Sequence, residues 1–259
     1  MGIVKDAKDP NKTTEADLGR GLAQWLTGDR WEVFQEVQLS SYGKRADIVA
    51  RRAGCLWVIE CKQTLTLAVM EQATAWRGWA HHVSIATWQA QRGSGDGRMF
   101  AREVCEWKGI GLITMSKPNN VGVSYWPNVN EVVHPRLWRV NGHIHPPHKM
   151  LDDRLCEEHK TFAQAGNNRS QYWSPFQQTC RLLTEVVQRE PGITMKDAMA
   201  KIRHHYSDDK SARSSIGKWM EQGATALEGI EARREGKSIK LYPAAKKPPD
   251  NIASRILDD

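Results

Sequence analysis

Hydrophobic and polar positions along the chain follow two rhythms, and the switches between them mark out elements. Thr13 or Thr14 can cap a helix whose apolar positions Leu18, Leu22, Trp25 and Leu26 recur at the helical period, with Gly28-Asp29 ending it. From Trp31 to Leu39 the rhythm becomes that of a strand, with Val33, Val37 and Leu39 on one face. Residues 44–51 and 55–62 predict two further strands around a short turn at Ala53-Gly54. A helix over 65–79, a strand over 82–88, a helix over 98–108 and short strands over 110–115 and 121–126 follow. The order αβββαβαβ implies an α/β fold, a central mixed sheet with helices on its faces.

Beyond this the pattern changes twice. Residues 134–173 are rich in Pro, His, Gly, Asn and charge with little periodicity, and read as a linker with a short helix near 151–159. Helical patterns then return over 175–188, from Thr194 to His205, and from a Ser211 cap to Gln222. Strand-like stretches at 229–233 and 238–242 flank the polar turn Arg234-Glu235-Gly236-Lys237. Three helices followed by a hairpin resemble a small winged-helix (α+β) domain. The predicted organisation is a first domain over 1–133, a linker over 134–173, the helical module over 174–243 and a loose tail over 244–259.

Composition narrows the partners more than the fold. The 259 residues carry 37 Lys+Arg against 30 Asp+Glu, a net charge of +7 that favours a polyanion. The longest apolar runs are a few residues, as at Leu67-Ala68-Val69-Met70, and a membrane span needs roughly 20. The start lacks a signal-peptide core, and the 5 scattered cysteines form no CxxC; both point to a reducing, cytoplasmic setting, which a nucleic-acid partner would make nucleoid-associated. Tryptophan, at 11 residues against 5 Tyr and 4 Phe, reads mainly as core filling.

The strongest chemical signal is Arg45-Ala46-Asp47-Ile48-Val49 followed by Val58-Ile59-Glu60-Cys61-Lys62. Side chains two apart on a strand share a face, so Glu60 and Lys62 point the same way. A tight turn at Ala53-Gly54 sets Val49 opposite Val58 and Asp47 opposite Glu60. Like charges so placed destabilise a sheet, and a divalent cation between them removes the repulsion. Glu15 lies on the helix face shared by Leu18 and Leu22, which turns it toward the sheet and makes it a third carboxylate for the site.

Helix-borne Glu15, then Asp47, then Glu60-Cys61-Lys62 resemble the PD-(D/E)XK nuclease superfamily, with its α-β-β-β-α-β restriction-endonuclease-like core. The resemblance covers residues 12 to about 126. It implies that Asp47, Glu60 and Glu15 bind Mg²⁺ (or Mn²⁺ in its place) and that Lys62 assists the attacking water. Many members carry a Gln on the following helix, often as QxxxY; here Gln72 matches and Trp76 stands in place of the Tyr. Ala46 replaces the Pro expected before the Asp.

In the helical module, Ile216, Trp219 and Met220 are expected to pack inward, leaving Arg213, Ser214, Gly217 and Lys218 for DNA. Arg233, Arg234, Lys237 and Lys240 place basic side chains on the hairpin, suited to phosphates. The His143, His145, His148 set and the Cys156, His159 pair have zinc-ligand chemistry but no familiar zinc spacing, and read as solvated linker residues. The combined expectation is an Mg²⁺-dependent endodeoxyribonuclease acting on double-stranded DNA, in a phage, mobile-element or defence setting. A homodimer would supply the two centres that double-strand cutting needs. The alternative is a nuclease-fold DNA-binding or assembly subunit that is inactive alone or needs a protein partner.

Overall fold

The structure, a computed structural model, describes residues 13–39, 43–89, 96–117, 128–138, 147–166, 172–236 and 238–244. Two compact units divide it, Met1–Trp173 and Ser174–Asp259.

The first unit is α/β. Helix α1 (Glu15–Gly28) starts at a capping box in which Thr14 accepts from the Asp17 backbone and Asp17 accepts from that of Thr14. Strands β1 (Glu32–Gln38), β2 (Arg45–Arg52) and β3 (Cys55–Lys62) form an antiparallel meander. Helix α2 (Leu67–Thr74) leads to β4 (His82–Trp88), parallel to β3, and α3 (Asp96–Lys108) leads to β5 (Gly111–Met115), parallel to β4. Strand β6 (Val129–Val133) closes the sheet antiparallel to β5, and the six strands lie in chain order. The strand expected over 121–126 lies outside the described residues.

The β2–β3 turn is as tight as expected, because Ala53 and Gly54 both take positive φ, at 49° and 77°. That fixes Val49 opposite Val58 and Ile48 opposite Ile59. Leu18, Leu22 and Leu26 of α1 pack with Ile48, Trp57 and Ile59 in one core. Val69, Met70 and Ala73 of α2 and Ala101 and Cys105 of α3 pack with Val49, Val58 and Val83 in the other. The sheet is thus covered on both faces, as parallel neighbours require. Helix α2 is shorter than its pattern suggests: after Thr74 the chain turns in three-residue steps to Gly78, whose φ of 86° no helix accommodates.

The described part of 134–173 is not a free linker. Helices α4 (Pro147–Asp152) and α5 (Glu158–Thr161) belong to the first unit, Leu151 enters one core and Ala165 the other. Ala165 and Gly166 donate backbone N–H groups to Gln35 and Glu36 on β1, and Gln164 donates to the Ala16 carbonyl at 2.6 Å. Polar composition concealed this strap because its anchoring is largely backbone hydrogen bonding and two small apolar insertions. A Cβ on Gly19 would stand 2.5 Å from the Ala165 carbonyl oxygen. Gly19→Ala should therefore destabilise the unit by about 1–3 kcal/mol in urea unfolding, the usual cost of overpacking. Parent-like stability would contradict the packing of the strap.

The second unit orders α6 (Pro175–Arg189), β7 (Ile193–Thr194), α7 (Met195–Ala200), α8 (Asp209–Glu221), a 3₁₀ turn (Thr225–Leu227), β8 (Ile230–Glu235) and β9 (Ser238–Pro243). The sheet order is β7-β9-β8, and Leu183, Val187, Met199, Ile216 and Leu241 fill the core. Asp208, not Ser211, caps α8; its carboxylate accepts from the Ser211 N–H at 2.8 Å. Helix α7 ends at Ala200, short of His205, whose ring is tied to Thr179 at 2.8 Å. Trp219 is not inward-facing as expected: it is 45% exposed and leans on the Phe176 ring. No described helix is long and apolar enough to cross a membrane.

Candidate active site

The C-terminal end of β3 brings Glu15, Asp47, Glu60, Lys62 and Gln72 together. Asp47 and Glu60 sit in adjacent strands, just past the Ile48–Ile59 pair where the ladder ends. Asp47 Oδ2 accepts from the Cys61 backbone N–H at 2.8 Å and lies 3.1 Å from Lys62 Nζ. Glu15 reaches the same place from the start of α1: Oε1 accepts from the Gln63 N–H at 3.2 Å, and Oε2 is 3.9 Å from Lys62 Nζ. The amphipathic placement of Glu15 thus leads to the strand end, as its spacing from Leu18 and Leu22 implies.

Glu60 is fully buried and gripped from α2 and the turns after it. Gln72 Nε2 donates to Oε2 at 2.9 Å, and Trp76 Nε1 donates to Oε1 at 2.6 Å. Trp76, which stands where the resemblance expects a Tyr, supplies the second of these donors through its indole. Burial pushes Glu60 up to about 8, helped by the charge of Asp47; Lys62 and Trp76 pull the other way. For Lys62, burial alone favours the neutral amine, but Asp47, Glu60 and Glu15 together outweigh it and raise its pKa. The ammonium is therefore the form present at neutral pH. Trp76→Phe should cost about 1–3 kcal/mol, the penalty for stranding a buried acceptor. A urea midpoint unchanged from the parent would show that the indole N–H does not hold Glu60.

A residue not expected from sequence completes the cluster. Glu36 of β1, 1% exposed, falls where strict pairing would set it opposite Asp47, and its φ of 53° interrupts the ladder there. Oε1 accepts from the Gly166 N–H at 3.0 Å; Oε2 lies 2.8 Å from Arg45 Nε, without the alignment of a hydrogen bond. Burial pushes Glu36 up to about 7, and the Asp47 charge adds to the rise. Its sequence signal is slight, because Glu32, Gln35 and Gln38 of the same strand are polar too.

Among the described residues, no group of three or more His, Cys, Asp or Glu side chains is arranged to hold a metal ion. A two-carboxylate set is still compatible with Mg²⁺, which commonly keeps waters and takes only one or two protein carboxylates. Asp47 and Glu60 fit that set by donor chemistry, because the Asp47 charge disfavours ionisation of the buried Glu60, a repulsion that a cation between them would relieve. Cys156 and His159 do touch, Sγ to Nδ1 at 3.0 Å, and His159 is buried rather than solvated. Burial holds His159 down to about 4 and the Cys156 thiol up to about 12, so both are neutral.

In the second unit, Ser214 and Lys218 are exposed on α8 and Arg213 is half-buried. Arg233 and Arg234 are exposed on β8, and Lys240 is half-buried on β9. Two of these hairpin cations are already paired: Arg233 lies 3.0 Å from Glu231 and Lys240 2.7 Å from Glu235. Lys237 lies outside the described residues.

No protein-family model matches the chain. No curated protein matches it either. Among solved structures, a protein of unknown function from Silicibacter pomeroyi is similar at 17% identity and a TM-score of 0.36, over 56% of this chain and 84% of that one.

Proposed function

We propose that the chain is a metal-dependent endodeoxyribonuclease. A restriction-endonuclease-like unit of the PD-(D/E)XK superfamily would cut the phosphodiester, and a winged-helix unit would hold double-stranded DNA. The observation that carries this reading is the meeting of Asp47, Glu60 and Lys62 at one sheet end, with Asp47 Oδ2 3.1 Å from the Lys62 ammonium and the buried Glu60 carboxyl beside it in the adjacent strand. A structural ion pair would need one carboxylate, and here burial forces two together. The second unit adds support: β7 completes a three-stranded sheet with the β8–β9 hairpin, and α8 lies before that hairpin, as in winged helices.

Asp47 and Glu60 would hold Mg²⁺, with Glu15 near enough to contribute through the Lys62 neighbourhood. When bound, the metal supplies Lewis-acid polarisation of the phosphate and a more acidic coordinated water. The chain's own residues do the rest. Gln72 and Trp76 fix the Glu60 carboxyl, and the Cys61 N–H fixes that of Asp47. Lys62, held as an ammonium, orients the attacking water and offsets charge that develops on the phosphoryl oxygens. The Arg and Lys side chains of α8 and the hairpin give affinity without sequence information.

One observation favours the second reading, a nuclease-fold subunit that is inactive alone or needs a partner. Both oxygens of Glu60 already accept hydrogen bonds, so the side chain is satisfied without a metal. Incubation of the protein with supercoiled plasmid in Mg²⁺, Mn²⁺, Ca²⁺ or EDTA separates the two. Nicking or linearisation in Mg²⁺ or Mn²⁺ alone supports the enzyme. Salt-sensitive binding with no cutting in any condition supports the subunit.

A further inference from the structure

The second unit contains a groove of about 800 Å³ between α8 and the β8–β9 hairpin, with Met195, Gly217, Met220, Leu227, Ile230 and Ile239 in its wall. Two features mark it as built to receive something apolar. Ile239 is 54% exposed although it sits in a strand, and a Cβ added to Gly217 would meet nothing within 4 Å. A glycine inside a helix costs about 1 kcal/mol relative to alanine, and here it leaves a gap in the helix surface.

The chain itself carries a matching segment. Strand β9 ends at Pro243, which pairs with Ile230 in the groove wall, and the Ala244 N–H bonds the Gly229 carbonyl. The chain therefore leaves the unit beside the groove, followed by residues 245–259. Within these, Ile252, Ile256 and Leu257 have the spacing of one helix face, after the capping residues Asp250 and Asn251. The eight residue-to-residue steps from Ala244 to Ile252 can span about 26 Å, more than the roughly 20 Å length of a 13-residue helix such as α8. Charge matches as well. Glu228 lines the groove near the exit point and suits Lys246 and Lys247; Lys210 and Arg213 line it too and suit Asp258 and Asp259.

We propose that residues 250–259 dock in this groove of their own chain, with the Ile252, Ile256 and Leu257 face against its apolar wall. Docking of the tail does not require the nuclease reading, although Arg213 lines the groove and also belongs to the set proposed to contact DNA.

Hydrogen exchange of the full chain tests it directly. The amides of residues 252–257 should exchange about tenfold or more slowly than an unstructured segment, at a rate independent of protein concentration. The double variant Ile256→Asp, Leu257→Asp should lose that protection. Gly217→Leu, which fills the groove from a position with open space, should lose it too while keeping the parent's thermal melt. Exchange of the parent segment at the unstructured rate would overturn the proposal, as would protection that survives Gly217→Leu. Protection that rises with protein concentration would assign the groove to a second copy and overturn docking within one chain.

Discussion

Asp47→Asn is expected to lower DNA cleavage by about a thousandfold, the scale on which removal of a single group that stabilises transition-state charge is felt. The fold should survive, for reasons visible at the site. An asparagine keeps an oxygen to accept from the Cys61 N–H, and its amide removes the negative charge that helps to raise Glu60 and Glu36. The loss of attraction to Lys62 opposes that gain, and Glu15 remains 3.9 Å from the ammonium. The net change in stability should stay within about 1 kcal/mol, because two effects of similar size oppose each other. Plasmid cleavage and a thermal melt on the same sample check both halves. A variant that cuts at the parent rate would remove Asp47 from the chemistry.

The second large effect is a stability that falls as pH rises. An unfolded glutamate titrates near 4.5, whereas burial and the Asp47 charge raise Glu36 to about 7 and Glu60 to about 8 in the folded chain. Between those limits the folded state binds more protons than the unfolded one. The associated stability is fully present below about pH 4.5 and is lost as pH climbs through 7 and 8. For Glu60 the loss is on the order of 4 kcal/mol, since each tenfold gain in proton affinity on folding corresponds to about 1.4 kcal/mol. Urea unfolding from pH 5 to 8.5, in EDTA, should therefore show the parent declining relative to Glu60→Gln, which has no proton to lose. Parallel pH profiles for the two proteins would show that Glu60 does not carry a raised pKa. Excess Mg²⁺ at pH 8 should recover part of the parent's loss, because a ligand that binds only the folded state stabilises it by mass action.

Much of this site can be read from the sequence because it rests on short-range rules. The Ala53-Gly54 turn fixes the hairpin register, and with it the meeting of Asp47 and Glu60. Helical spacing carries Glu15 inward and places Gln72 within reach of Glu60. The missed features depend on contacts that no local pattern encodes. Glu36 reads as an ordinary polar strand position; its burial comes from its own positive φ and from Gly166, 130 residues further along. Trp76 departs from the motif, yet what Glu60 requires is an N–H or O–H donor, which an indole supplies as well as a phenol. The strap at 163–166 lacks periodicity because it bonds through its backbone. Trp219 fits the inward stripe of α8 by spacing, but it stays 45% exposed, against the Phe176 ring.

Whether Lys62, with Asp47 and Glu60, forms a hydrolytic centre is decided most directly by comparing the parent with Lys62→Ala. Both would be incubated with supercoiled plasmid in Mg²⁺ and in Mn²⁺, each protein first shown to be folded by its thermal melt. The parent should cut in a metal-dependent way, and the variant should lose that cutting by about a hundredfold or more. Equal cutting by the two proteins would contradict the assigned centre, and no cutting by a folded parent that still binds DNA would contradict the enzyme itself.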